Sequence, residues 1–171
     1  MASKFLVTLF CFGCFCSICL SAEVGKFDSS KLNTYQQSCN NKIAEGCFNV
    51  GIAYFLGDGF KKNDAKAKEY LQMAYNLEPK NTSFMDTLAR LYYYEYKTKN
   101  DSYSLNESIK LFNDACDKGK SNSCIMLGGI YEFGDNNIIK IDTNKALAYY
   151  KKSCVLKDIE GCSKFNSLKK R

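Results

Sequence analysis

Three cysteine pairs carry the most legible chemistry of this sequence: Cys39 with Cys47, Cys116 with Cys124, and Cys154 with Cys162, each separated by eight positions. Thiols so placed have two uses, oxidation to a disulfide or capture of a soft metal. Eight residues of continuous helix rise about 12 Å, whereas a disulfide tolerates about 4.4 to 6.8 Å between Cα atoms. A bridged pair must therefore clasp a turn. The intervening residues agree, since Asn40 to Gly46, Asp117 to Ser123 and Val155 to Gly161 carry Gly, Asn, Asp, Ser and Lys. Each bridge would staple the end of one helix to the start of the next, contributing about 2 to 3 kcal/mol for so short a loop. A six-cysteine metal site is the competing use, disfavoured by the lack of C-x-x-C spacing among these six and by the exported context read below.

The rest of the catalytic inventory is thin. The chain has no histidine. That excludes a Ser-His-Asp or Cys-His relay, imidazole acid-base work and a His-ligated hydrolytic zinc. Carboxylates are plentiful, but on exposed helix faces they read as solvated charges. No cofactor and no metal are expected.

The remaining four of the ten cysteines, Cys11, Cys14, Cys16 and Cys19, lie in an uncharged stretch from Phe5 to Leu20 that follows Lys4 and precedes Ser21 and Ala22. A basic start, an apolar run short of the ~20 residues of a membrane span, and a small-residue exit predict a signal peptide over residues 1–22. An uncleaved N-terminal anchor is the alternative reading. Residues 23–171 would then form the mature domain, secreted or periplasmic and free of the membrane. Removing Lys4 lowers the net charge from +6 to +5, with 23 basic and 18 acidic residues left. Lys61-Lys62, Lys151-Lys152 and Lys169-Lys170-Arg171 form no extended stripe, so nucleic acid is not implied and an acidic partner is only mildly favoured.

The cysteines also mark a repeat that must position everything else. Cys47 to Cys124 is 77 residues and Cys124 to Cys162 is 38, so one unit without cysteines fits between. Tyr75 falls in register with Cys116 and Cys154, preceded eight residues earlier by the small Ala67, Ser108 and Ala146. Met85 falls in register with Cys47 and Cys124, followed by Val50-Gly51, Leu88-Ala89 and Leu127-Gly128, then Tyr54, Tyr92 and Tyr131. Units thus begin at about 47, 85 and 124, with a partial one from 162. Each reads as two helices. The first starts at the second cysteine position and stops at Gly57-Asp58-Gly59 or Gly134-Asp135-Asn136-Asn137. The second starts near Asn63 or Asp64, near Ser104, where Glu107 completes a capping box, and near Asp142 or Thr143. One helical pair cannot bury its own apolar face, so the prediction is an all-α protein, an α/α solenoid of stacked hairpins, with Asp28 to Cys39 as an opening helix and Ser163 to Arg171 as a polar end.

The pattern Cys-x7-Cys, Leu-Gly or Val-Gly, Tyr, Gly-Asp-Gly and a helix such as Lys145-Ala146-Leu147-Ala148-Tyr149-Tyr150-Lys151-Lys152-Ser153-Cys154 resembles Sel1-like repeats, a tetratricopeptide-like class. Its disulfide-bearing, exported form resembles the Helicobacter cysteine-rich protein family, across roughly residues 28–168. The middle unit departs: Ala74 to Asn81 is closer to the plain tetratricopeptide pattern, lacks both cysteines and carries a longer turn. The resemblance implies penicillin binding with weak β-lactam hydrolysis. The residues supply no mechanism for it, because the lone Ser-x-x-Lys, Ser167 to Lys170, lies in the polar tail without Ser-Asp-Asn or Lys-Thr-Gly elements. Whether the chain is an enzyme is left open.

In tetratricopeptide-like stacks the first helix of each pair lines the inner surface. The register places Phe48, Ile52 and Phe55 there in the first unit, Asp86, Arg90, Tyr93 and Tyr94 in the second, and Ile125, Gly129, Glu132 and Phe133 in the third. Arg90 has the chemistry to pair bidentately with the carboxylate of a peptide, a cell-wall fragment or a β-lactam, with Tyr93 and Tyr94 as flat contact area and Asp86, Glu132 and Phe55 nearby. The competing use of Arg90 is an intramolecular pair with Asp86, four residues back, while Tyr93 and Tyr94 pack between repeats. A monomer is expected. The alternative to a small-ligand site is a scaffold that binds a protein partner or a host surface without enzymatic activity.

Overall fold

The computed structural model describes residues 28–134 and 138–171. The leader expected at 1–22, with Cys11, Cys14, Cys16 and Cys19, and the turn residues Asp135, Asn136 and Asn137 lie outside them. Among the described residues, eight α-helices follow one another: α1 (Leu32–Asn40), α2 (Ala44–Leu56), α3 (Asp64–Leu77), α4 (Thr82–Lys99), α5 (Ser102–Asp117), α6 (Ser121–Phe133), α7 (Thr143–Val155) and α8 (Ile159–Lys169). The opening segment is tighter than a plain helix, since a 3₁₀ turn at Ser29–Lys31 leads into α1.

Local sequence sets these boundaries. Five helices begin behind an Asn or Asp whose side chain accepts a hydrogen bond from the first turn: Asn63 from Lys66 N, Asn81 from Ser83 N and Phe84 N, Asp101 from Tyr103 N and Ser104 N, Asp142 from Lys145 N, and Asp158 from Gly161 N. The capping box expected at Ser104 is therefore corrected. Asp101 holds that position, and Ser104 sits in the first turn with its hydroxyl donating to Asp101 Oδ2 at 2.6 Å. A carboxylate satisfies two backbone N–H groups and the positive end of the helix, which a hydroxyl cannot match. The first helix of each pair also starts three residues before the expected cysteine position, at Ala44, Thr82 and Ser121. Each second cysteine thus sits about one turn inside its helix.

All three disulfides are formed, with Cα atoms 4.4, 4.9 and 4.3 Å apart for Cys39–Cys47, Cys116–Cys124 and Cys154–Cys162. They clasp the turns from α1 to α2, α5 to α6 and α7 to α8. Within each stapled turn one residue adopts a left-handed backbone: Lys42 at φ 59°, Gly119 at φ 92° and Lys157 at φ 65°.

Hairpins α2–α3, α4–α5 and α6–α7 close on small residues. A methyl group on Gly51 would meet Leu71 Cγ at 2.8 Å, and one on Gly128 would meet Tyr150 Cε1 at 2.3 Å. Ala67, Ser108 and Ala146, the small residues of the second helices, are all fully buried. The hairpins stack through contacts one repeat apart in sequence: Ser123 Oγ to Asp86 Oδ1 and Ser121 Oγ to Asp158 Oδ2 at a separation of 37, and Tyr149 Oη to Asn113 Oδ1 at 36. The spacing of the interlocking side chains is thus one to two residues short of the 38-residue period read from the cysteines. The turn from α3 to α4, where Tyr75 and Met85 stand in register with the cysteines, carries no staple, and α4, the longest helix, buries Phe84, Leu88, Ala89, Leu91, Tyr92 and Tyr96 between its neighbours. Apolar packing there stands where disulfides stand at the α1–α2, α5–α6 and α7–α8 turns.

Candidate functional site

Side-chain contacts run from α2 to α4 to α6 and make these three helices one row. Phe48 stacks on Phe84 with ring centroids 4.8 Å apart, and Phe55 meets Tyr94 edge-on at 5.7 Å. From α4 to α6 the link is polar. Arg90 Nε donates to Asp86 Oδ2 at 2.7 Å, Arg90 Nη1 reaches Met126 Sδ at 3.7 Å, and Ser123 Oγ donates to Asp86 Oδ1 at 2.5 Å. Asp86 is buried, with both oxygens satisfied, one by a guanidinium and one by a hydroxyl. The spacing of four that made Arg90 and Asp86 an ion-pair candidate is realised.

Ser123, like Met126, is a member of this network that the sequence reading missed. Its signal was positional: it stands immediately before Cys124 where Gly46 and Gly161 stand before Cys47 and Cys162. At those two positions a Cβ would strike Ser38 Cβ at 2.5 Å and Ser153 Oγ at 2.3 Å. The residue in register with Ser38 and Ser153 is Ala115, one atom smaller than serine. That exchange makes room for a hydroxyl, which the structure turns toward Asp86.

Of the six expected ligand contacts, Asp86, Arg90 and Tyr94 lie on one line of α4, and Phe55 sits beside Tyr94. Lys62 covers that aromatic corner, with Nζ 5.2 Å from the Phe55 ring centre and 5.5 Å from that of Tyr94. Tyr93 is buried and packs on Tyr96 with centroids 6.0 Å apart. Glu132 turns toward the end of the stack, accepting from Tyr150 Oη at 2.8 Å and from Arg171 Nη1 at 3.1 Å. Burial and then the neighbouring Glu132 carboxylate raise the Tyr150 hydroxyl above its ordinary pKa, so it is a fixed donor at neutral pH. The register explains the division. Phe55 and Tyr93 are buried and Glu132 is half-buried at one repeat position, while Leu56 and Tyr94 are half-buried and Phe133 is exposed at the next. Of the other groove residues expected, Phe48, Ile52 and Ile125 are buried and Gly129 is half-exposed.

A second buried carboxylate joins α3 to α4. Glu95 accepts from Lys68 Nζ at 2.8 and 3.0 Å and from Lys99 Nζ at 3.2 Å, with Ser104 Oγ at 3.4 Å. Burial pushes the Glu95 carboxyl upward, and the two ammonium groups more than offset it, leaving it below the usual carboxylate range. Among the described residues no group of three or more Cys, Asp or Glu is placed to hold a metal ion. Ser167 is exposed on α8 and Lys170 caps its end, so the lone Ser-x-x-Lys is not enclosed by other groups.

Two segments, residues 44–78 and 121–156, match the Sel1 repeat family, and they are the α2–α3 and α6–α7 hairpins. The chain carries Sel1-like repeats. The α4–α5 hairpin between them keeps the same two-helix form, with Ala89 where the Sel1 hairpins have Gly51 and Gly128. Among solved structures, one similar fold is a protective antigen present in uropathogenic Escherichia coli strains displaying an SLR fold, at TM-score 0.68 and 15% identity over 89% of this chain and 32% of that one. Another is a Sel1 repeat protein from Oxalobacter formigenes, at TM-score 0.67 and 19% identity over 88% of this chain and 60% of that one. At such identities the likeness is one of fold, and this Sel1-like chain spans about a third and three fifths of their lengths. No curated protein matches the sequence.

Proposed function

We propose that this Sel1-like repeat chain is a non-enzymatic interaction scaffold that docks a protein partner along the α2–α4–α6 row. The observation that carries the reading is the use to which the expected ligand groups are put. Asp86 is shared by Arg90 and Ser123, Glu132 is held by Tyr150 and Arg171, and Lys62 lies over Phe55 and Tyr94. Recognition of a small carboxylate by Arg90 would require it to leave a buried counter-charge, at a cost of about 3 kcal/mol or more. Of the apolar side chains along the row, Phe133 is 50% exposed and Tyr94 and Met126 are half-buried. Aromatic and methionine contact area beside an arginine is the composition of protein-binding surfaces. Three disulfides fit an oxidising compartment, which supports export and the proposed leader. The β-lactam chemistry implied by the family resemblance receives no support from this arrangement.

The test is a quantitative binding comparison. A partner recovered by cross-linking to the oxidised protein should bind a Met126→Glu/Phe133→Glu variant at least tenfold more weakly, with helix content and melting temperature retained. Undiminished binding by that variant would refute the docking face. Saturable nitrocefin turnover, absent from a buffer control, would refute the non-enzymatic reading.

A further inference from the structure

Helix α1 carries Asn33, Gln36, Gln37 and Asn40 at spacings of three and four, which puts all four carboxamides on one face. Together with Tyr70 of α3 they line an open cleft of about 490 Å³, within the usual ~300–1,000 Å³ of a small-ligand site. No lining residue comes from the α2–α4–α6 row, so the cleft is separate from the proposed docking face. No Lys, Arg, Asp or Glu lines it.

The four amides are unspent. Some helix-surface amides of the chain bond locally: Asn49 donates to Glu45 O at 2.9 Å, Gln72 to Asn76 Oδ1 at 2.9 Å, and Asn113 to Ile109 O at 2.9 Å. The hydrogen bonds of the described residues include none from the side chains of Asn33, Gln36, Gln37 or Asn40. A carboxamide offers two donors and one acceptor, so the face is a closely spaced array of both kinds without charge. Tyr70 is held in place beside it, stacked on Tyr54 at 5.7 Å, which in turn stacks on Phe60 at 4.2 Å. The Cys39–Cys47 bridge fixes α1 against α2, onto which α3 folds. Both walls are therefore positioned before a ligand arrives, which lowers the ordering cost of binding.

We propose that this cleft between α1 and α3 binds a neutral, hydroxyl-rich ligand, a short oligosaccharide. Sugar hydroxyls each donate and accept, matching the amide array, and Tyr70 supplies a flat apolar surface for a ring face. An extended peptide fits less well. Its same-facing groups repeat about every 6.7 Å, against a rise of about 5.4 Å per turn for the amide row, and the two drift apart by more than 2 Å over two turns. Charged ligands have no counter-ion in the lining.

The experiment is a ¹⁵N NMR titration of the oxidised protein with cellotetraose and, separately, maltotetraose. At least one should shift the side-chain NH₂ signals of Asn33, Gln36, Gln37 and Asn40 saturably, with half-saturation near ~1 mM. Asn33→Ala/Gln37→Ala, both at exposed positions, should weaken that binding about tenfold while leaving the backbone spectrum folded. No saturable shift with either sugar overturns the proposal, as does an equal shift in the variant. Saturation by a blocked tetra-alanine peptide, with no response to sugar, would overturn it in favour of a peptide site.

Discussion

Gly128 and Gly129 are adjacent on α6, and alanine at the two positions should have opposite effects. Replacing a helical glycine by alanine ordinarily gains about 1 kcal/mol. At Gly128 the new methyl carbon would lie 2.3 Å from Tyr150 Cε1, 2.5 Å from Cδ1 and 2.9 Å from Cζ, where contact requires about 3.5 Å or more. The ring has no free direction of retreat, being fully buried and tethered through its hydroxyl to Glu132 at 2.8 Å. Relief must separate α6 from α7 or break that bond. Overpacking of about 1 to 3 kcal/mol plus a hydrogen bond of about 1 kcal/mol, less the helix gain, leaves Gly128→Ala destabilising by about 1 to 3 kcal/mol. At Gly129 a methyl group would find only Tyr150 Oη, at 3.8 Å. Gly129→Ala should therefore stabilise by about 0.5 to 1 kcal/mol. Urea unfolding of the oxidised proteins at equal m-values measures the difference. Tyr150→Leu, which copies the Gly51–Leu71 pair of the first hairpin, should recover part of the loss in a double variant. A stable Gly128→Ala, or equal losses at both glycines, would refute the close crossing of α6 and α7.

Three other perturbations follow from named contacts. Lys42→Gly and Lys157→Gly should each stabilise by about 0.5 to 1 kcal/mol, because lysine is left-handed at φ 59° and 65° where the equivalent Gly119 is not strained; thermal melts of the oxidised variants check this, and destabilisation would refute it. Arg90→Ala should cost about 3 kcal/mol or more by stranding the buried Asp86 charge, while Asp86→Asn/Arg90→Met should recover much of it; a double-variant cycle with no coupling would contradict the shared network. Glu95, held below its ordinary range in the folded state, contributes stability that is present above the unfolded value of about 4.3 and lost as pH falls through the folded value. The gap in unfolding free energy between the wild type and Glu95→Gln should shrink between about pH 5 and pH 3, and a gap independent of pH would refute the assignment.

The cysteine spacing made the architecture readable because a disulfide geometry and a helix rise conflict so sharply that only a turn reconciles them. From that constraint came the repeat period, and from the period the small positions Gly51 and Gly128. The candidate site was less legible for a reason of scale. One residue turns a helical side chain by about 100°, so an alignment correct for the staples still left open which member of Tyr93-Tyr94 or Glu132-Phe133 faces outward. The structure makes the second of each pair the more exposed: Tyr93 is buried and Tyr94 half-buried, Glu132 half-buried and Phe133 exposed. The pairing of Glu95 with Lys68 was hidden differently, since its separation of 27 matches neither the helical period nor the repeat and arises where α3 of one unit meets α4 of the next.

The two buried carboxylates bear on why the α3–α4 turn needs no staple. Asp86 joins α4 to α6 through Ser123, and Glu95 joins α4 to α3 through Lys68, so α4 is clamped to both flanking units by buried, fully partnered charges. Such pairs add little net stability compared with apolar packing, but misplacing either strands a buried charge, which penalises any slipped stacking of the repeats. Disulfides fix the α1–α2, α5–α6 and α7–α8 turns that join successive hairpins, whereas these clamps fix α4 against α3 and α6. The two devices act on different degrees of freedom, and reduction of the disulfides should loosen the α1–α2, α5–α6 and α7–α8 turns before it loosens the α4 seams. Hydrogen exchange of the reduced protein tests that order: amides of α4 should remain the slowest to exchange, and their early exposure would show that the staples hold the register as well.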